Sequence, residues 1–274
     1  MKNTLKKMAK SMRSIGLASL LTLTPTILAH AGNAHAKDNS NVNNKKIEWN
    51  ISAGYNHFFS NPAKNYVNDE NNKNHEGFYT SGTPMFVDLE NKKEGLNEIK
   101  VNALFNFKDK KWSFGPFASY SFSKQNLSAS GKTSSGLLVD RADKINYTLL
   151  EVGMKEKKKL NDSWNLTLEQ ALGLTKVDVD SHSKIANTLS GVTRYYDASS
   201  SGKGTLFSLG AGVERKISNK VSLGADVNYT FGKVSTKGTQ VGEQSGNTWI
   251  KDENFSHTFN WNGITAKLDL TYKF

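Results

Sequence analysis

Beyond residue 46, apolar and polar residues alternate one by one through long parts of the chain. From Gly263 to Phe274, one set is Ile264, Ala266, Leu268, Leu270, Tyr272 and Phe274, and the other is Thr265, Lys267, Asp269, Thr271 and Lys273. Successive side chains of a strand point to opposite faces, so this stretch predicts a strand with one apolar and one charged face. Seven more segments read the same way. Ile47, Trp49, Ile51, Ala53 and Tyr55 mark the first, over 47–59, and Val101, Ala103, Phe105 and Phe107 the second, over 98–108. Trp112, Phe114, Pro116, Ala118, Tyr120 and Phe122 mark the third, with Pro116 unable to donate to a ladder. Thr148, Leu150, Val152 and Met154 define the fourth, over 144–157. The fifth, over 164–177, has Trp164, Leu166, Leu168, Leu172 and Leu174 on its apolar face, where Gln170 breaks the pattern. Phe207, Leu209, Ala211 and Val213 mark the sixth, over 204–217, Val221 to Phe231 the seventh, over 221–235, and the last covers 257–274.

The connections alternate in length. Short turns are expected at 109–111, 158–163 and 218–220, and long, Asn-, Ser- and Lys-rich loops at 60–97, 124–142, 178–203 and 236–256. An all-β, transmembrane antiparallel up-and-down barrel of eight strands has this asymmetry. A ten-stranded form requires Val192–Tyr196 to pair within its loop. The polar faces carry Glu48, Lys100, Glu151, Lys155, Glu169, Glu214, Asp226, Lys267 and Asp269. Eight strands enclose an interior that side chains fill, so these charges are expected to pair as a lumen network, above all Glu48, Lys100, Glu151, Glu169, Glu214, Lys267 and Asp269.

The segment carrying Leu268, Leu270, Tyr272 and Phe274 resembles the C-terminal strand of bacterial outer-membrane β-barrels, which close on a terminal Phe. The resemblance implies the small OmpA/OmpX/opacity-protein type within the porin-like superfamily, with a filled, ion-paired lumen. It also implies a Gram-negative outer-membrane location, lipid or lipopolysaccharide around a monomeric barrel, and recognition of those four residues by the barrel-assembly machinery.

Composition changes this picture little. The mean hydropathy of −0.56 suits strands that are half polar. The 274 residues include no Cys, which excludes disulfide scaffolds and thiolate metal sites. Residues 1–36 read as a signal peptide, with Lys2, Lys6, Lys7, Lys10 and Arg13 before an apolar run and small-x-small sites ending at Ala31 and Ala36. Cleavage near Ala36 leaves 37–46 as a flexible leader and 47–274 as the barrel. The formal charge of +11 includes five cations and no acids of that signal, leaving +6, a mildly basic surface that does not imply nucleic acid.

Candidate chemistry is sparse. Asp178-Val179-Asp180-Ser181-His182 places carboxylates beside an imidazole, as general-base hydrolysis uses. The omptin-type proteases place an acidic pair and an Asp-His pair on different loops of a ten-stranded barrel, whereas here both fall in one segment, so a solvated loop is the better reading. His57, His75 and His257 form no recognisable lipid A deacylase pattern, and His57 and His257 are expected in water near the outer rim. No metal or cofactor is implied. Phe78, Tyr79, Tyr195, Tyr196 and Trp249 are loop aromatics that either anchor a partner or pack the loop base. The expected function is a non-enzymatic surface protein whose loops bind host or environmental ligands, or support the envelope. The alternatives are a small porin-like channel and, further off, an outer-membrane hydrolase.

Overall fold

The computed structural model describes residues 46–75, 88–89, 95–106, 111–132, 136–244, 247–252 and 255–274. In order they form β1 (Lys46–Phe58), α1 (Lys64–His75), β2 (Gly95–Asn106), β3 (Trp112–Lys132), β4 (Leu137–Lys159) and β5 (Trp164–Asn187). β6 (Thr193–Lys216), β7 (Val221–Gln244), β8 (Asn247–Asp252), β9 (His257–Asn260) and β10 (Gly263–Lys273) follow. The expected signal segment lies outside the described residues, as does the leader apart from Lys46.

Strands β1 to β7 lie side by side, and β10 closes the ring by pairing with both β7 and β1. Leu270 faces Leu223 on one side and Ala53 on the other. The ring therefore has eight strands, and β8 and β9 only extend the edge of β7 above the point where β10 begins. The Val192–Tyr196 run forms no inserted hairpin, because β6 starts at Thr193.

Outward residues form an apolar belt. Trp49, Trp112, Trp164, Tyr272 and Phe274 are exposed at its turn side, and Tyr55, Tyr120, Phe122, Phe207, Tyr229 and Phe231 toward the other. Aromatic rings at both edges are what a bilayer interface selects. Cations sit over the turn-side rings, with Lys158 Nζ 4.9 Å from the Trp112 ring centre and the Arg215 guanidinium 5.7 Å from that of Trp164. The turns are tied by side chains: Asn161 Oδ1 accepts from the amides of Ser163 and Trp164, both at 2.9 Å, and Ser218 Oγ accepts from those of Lys220 and Val221. Such Asx and Ser turns reverse a strand within a few residues.

Three of the four expected long loops are strand. β3 to β7 run 21 to 24 residues each, against the 9–11 or so that cross a bilayer. Their far halves stand beyond the belt as a continuous wall, paired as far as Lys132↔Leu138 and Ala186↔Thr193. Alternation persists there with its polarity inverted. On β4, Leu150, Val152 and Met154 face outward in the belt, whereas above it Leu137, Val139, Ile145, Tyr147 and Leu149 face inward and Asp140 and Lys144 outward. The wall thus encloses a core of the kind found in a soluble domain, including Leu127, Ile145, Tyr147, Val177, Val179, Leu206 and Val234.

The remaining loop, 60–97, contributes α1, which lies inside the wall. Asn61 caps it, its Oδ1 accepting from the Ala63 amide at 2.8 Å, and Pro62 follows where a missing N–H costs nothing. Ala63, Tyr66, Val67 and Glu70 fall on one helical face and are buried. The ladder changes partner at Gly232, whose φ of 153° suits a residue without Cβ. Below it β7 pairs with β10, and above it with β9.

Candidate functional site: a filled barrel under a plugged wall

The lumen inside the belt is occupied by ion pairs. Lys100 Nζ lies 2.5 Å from Glu169 and 3.4 Å from Glu98, Lys155 lies 3.0 Å from Glu169, and Lys267 lies 2.5 Å from Glu98 and 3.7 Å from Asp269. Nearer the turns, Lys157 meets Glu214 at 2.7 Å, and Glu48 is shared by Lys157 and Lys273. Room for these side chains comes from glycine: a Cβ on Gly212 would sit 2.0 Å from Asp226 Oδ1. Two expectations need correction. Glu151 accepts from Ser208 and Ser119 at 2.8 and 3.3 Å and, among the described residues, makes no ion pair with lysine. Lys267 pairs with Glu98, a residue on β2 absent from the expected set, although it sits on the same polar face as Lys100.

Above the ion pairs, a cavity of about 40 Å³ is bounded by Asn56, Glu98, Phe117, Leu149, Trp261 and Lys267, among others. That volume holds only two or three waters. It ends against the aromatic floor of the plug, where Trp261 packs edge-on to Tyr147 and Phe58 with centroids at 5.6 and 5.4 Å.

The plug is fixed by one buried polar cluster. Arg141 Nη2 donates to Glu70 Oε2 at 2.7 Å, and its Nε donates to both oxygens of Asp143 at 3.0 and 3.1 Å. Tyr66 Oη donates to Asp143 Oδ2 at 2.7 Å, Ser181 Oγ to Asp143 Oδ1 at 2.5 Å, and Lys73 Nζ to Glu70 Oε1 at 2.8 Å. His257 Nε2 stands 3.4 Å from Glu70, with its ring edge-on to Tyr66 and Phe255. Burial pushes the Glu70 carboxyl up, but Arg141, Lys73 and His257 outweigh it and hold it at about 2. Burial pushes the Tyr66 phenol well above its usual value, with the Asp143 charge adding to it. His257 is thus a buried member of the plug, and its expected place in water at the outer rim is corrected.

The Asp178–His182 segment lies on β5 and divides by face. Ser181 points into the wall, whereas His182 points out and meets Asp197 on β6 at 2.6 Å, both about 70% exposed. This hydrogen-bonded pair stands in water, without the enclosure that general-base chemistry uses. Among the described residues, no three His, Asp or Glu side chains cluster as metal ligands. The expected loop aromatics also divide. Tyr195 is exposed on the outer face of β6, and Tyr196 is buried in the core, so Tyr196 offers no binding surface. Trp249 lies on β8, its side chain outside the described residues together with Phe78 and Tyr79.

On the wall's outer face, charge is sorted by height. Lys124, Lys176, Lys203, Lys233 and Lys237 are exposed just above the belt, where Asp178 bonds Lys176 at 2.7 Å, and Lys144 stands opposite Asp180 on the β4–β5 ladder. Toward the far end stand Asp140, Asp197 and Glu243, with Lys132 and Lys184.

A family model described as the autotransporter beta-domain matches residues 98–228, just under half of the chain. No curated protein sequence matches it. Solved structures similar to the chain include Ail, the attachment invasion locus protein of Yersinia pestis, at 11% identity over 83% of this chain and 97% of that one, TM-score 0.35. The outer-membrane protease OmpT of Escherichia coli aligns at 10% identity over 87% and 99%, TM-score 0.42, and neisserial surface protein A at 11% over 83% and 97%, TM-score 0.30.

Proposed function

We propose that this outer-membrane barrel is a non-enzymatic surface-recognition protein in which the wall is the working part. The observation that carries the reading is the inversion of polarity along β3 to β7, which makes the far half a self-supporting platform with its own core. From Lys176 to Asn187 alone, β5 extends about 35–40 Å at ~3.3 Å per residue. Outer-membrane barrels keep short turns on the periplasmic side, so the wall faces the exterior. Its basal lysines then meet the anionic headgroups of the outer leaflet. Its distal face, with Tyr195, Asp197, His182 and Lys184, meets an extracellular ligand. The ion-paired lumen and the plug oppose a conducting path, which disfavours the channel reading. On the same reading, residues 1–36 direct export, and the Leu268, Leu270, Tyr272 and Phe274 face is what the assembly machinery reads.

The test uses cells displaying the intact protein over immobilised matrix and serum proteins. Replacing Tyr195, His182, Lys184 and Asp197 together by Ala leaves the core untouched and is expected to abolish adherence. Undiminished adherence of that variant would remove the distal face as the binding surface. Bilayer recordings of the purified protein are expected to show no steady conductance.

A further inference from the structure

On the turn side the lumen opens as a cup of about 320 Å³. Lys111, Asn161, Asp162 and Ser218 bring three turns to its rim, and Val221 is the one apolar residue of its lining. Six lysines stand there against three carboxylates, and each carboxylate is engaged. Glu48 is shared by Lys157 and Lys273, Glu214 is held by Lys157, and Asp162 by Lys159 at 2.7 Å. Those pairs close the floor. Lys111, Lys216 and Lys220 form no ion pair with a described residue, and Lys220 stands at the rim, its Nζ 5.9 Å from the Tyr272 ring centre. Ser222 is only 9% exposed, and its hydroxyl has no hydrogen-bond partner among the described residues. The carboxamides of Asn165 and Asn219 line the same cup with no side-chain hydrogen bond to a described residue.

We propose that this cup binds peptidoglycan, the carboxylate-bearing glycopeptide of the cell wall, and so ties the barrel to the layer beneath the outer membrane. A concave site focuses the field of its charges, and three ammoniums in excess select an anion. The short turns of outer-membrane barrels face the periplasm, where peptidoglycan is the polymer with repeated carboxylates. Cations at separate places on the rim suit such a polymer. The free hydroxyl and carboxamides between them suit its sugar hydroxyls and peptide groups, as donors and acceptors. Phospholipid phosphates of the inner leaflet meet a different set of cations, Lys158 and Arg215, which lie over the outward rings of Trp112 and Trp164. The cup opens within the ring of strands, away from lipid. This contact is independent of what the far face binds and rests only on the outward orientation of the wall.

Lipoprotein-free sacculi and the detergent-folded protein are sedimented together at physiological salt. The parent is expected to pellet with the sacculi. Lys111→Glu, Lys216→Glu and Lys220→Glu combined are expected to reduce the bound fraction at least ten-fold while the heat-modifiable fold is kept. Lys203→Glu, Lys233→Glu and Lys237→Glu combined, the same change of charge on the outer face, are expected to bind like the parent. Sacculi whose carboxylates have been converted to amides are expected to release it. A parent left in the supernatant, equal loss in both triple variants, or undiminished binding to amidated sacculi would overturn the proposal. The chain has no cysteine, so Asn219→Cys reports orientation separately. An impermeant maleimide is expected to label it only after the outer membrane is opened. Labelling on intact cells would overturn both the outward wall and the peptidoglycan contact, whereas failure to sediment would overturn the contact alone.

Discussion

Arg141 on β4 reaches Glu70 on α1 at 2.7 Å while holding both oxygens of its neighbour Asp143, so one guanidinium ties the wall to the helix inside it. Removing one partner of a buried pair leaves the other charge without compensation and typically costs ~3–5 kcal/mol. Arg141→Met is expected to destabilise the wall by that order and to expose α1 to protease. The double variant Arg141→Met, Glu70→Gln is expected to lose less than Arg141→Met alone, because Asp143 is then the one carboxylate left without its guanidinium. Urea unfolding read separately from α1 cleavage and from barrel heat-modifiability checks both.

Docking of α1 should weaken in acid. Glu70 is held at about 2, below its ordinary 4.5, so its contribution is complete above about pH 4.5 and is lost as pH falls toward 2. His257 is lowered from 6.5 by burial, against the pull of Glu70, so the undocked imidazole takes up its proton first and docking weakens as pH falls below about 6.5. The two slopes have the same sign. Hydrogen exchange of the α1 amides, corrected for intrinsic rates, should show protection falling from pH 7 to pH 3. His257→Phe should remove the upper limb and Glu70→Gln the lower. Protection flat with pH in the parent would contradict the assignment.

Lys267 serves Glu98 and Asp269 inside the barrel and is 2% exposed, whereas Lys144 stands in water on the wall. Lys267→Ala is expected to lower stability by ~3–5 kcal/mol and Lys144→Ala to stay within about 0.5 kcal/mol. The midpoint of denaturant unfolding in detergent compares them. Equal, negligible shifts would mean that the lumen charges are hydrated.

Phe274 packs edge-on against Tyr272 with centroids 5.2 Å apart, and its amide donates to the Trp49 carbonyl at 3.0 Å. Phe274→Lys places a charge in the turn-side aromatic edge beside Lys273. The expected result is a clear drop in the heat-modifiable folded form recovered from outer membranes.

The eight-stranded ring was legible because each belt strand has one side almost free of polar atoms, with Trp49, Trp112 and Trp164 announcing a boundary. The wall was not, for a physical reason. Leu127, Ile145, Val177 and Val234 are spaced as on any strand, but they occupy the parity that carries Ser121, Glu151, Gly173 and Thr230 lower down. A reading that expects one apolar parity per strand meets Lys and Asp at the outward positions of the wall and sees a loop. Of the plug, nothing was read: 60–97 was expected as a loop, because its many Asn and Lys residues outweigh the Asn61-Pro62 cap and the apolar 63, 66, 67 spacing. The meeting of Glu70 with Arg141 and His257, 71 and 187 residues away, depends on closure of the whole ring. Gln170 announced itself as a misfit on the apolar face of β5 and remains one in the folded barrel, whereas Glu156, outward on β4 beside Leu168, passed unnoticed.

Helix α1 is enclosed by chain that precedes and follows it by very different distances. Asp143 and Arg141 hold it from the first hairpin beyond the belt, while His257 and the Asn260 amide, which bonds Pro62 O at 3.2 Å, hold it from just before the final strand. Neither set alone surrounds it. The helix is therefore fully enclosed only once the final strands are paired, although it lies near the start of the barrel sequence. Until β9 and β10 arrive, the apolar lining of the wall stays uncovered on the outside of the cell. A barrel whose β9 is unpaired would present that lining as a sticky, protease-sensitive surface.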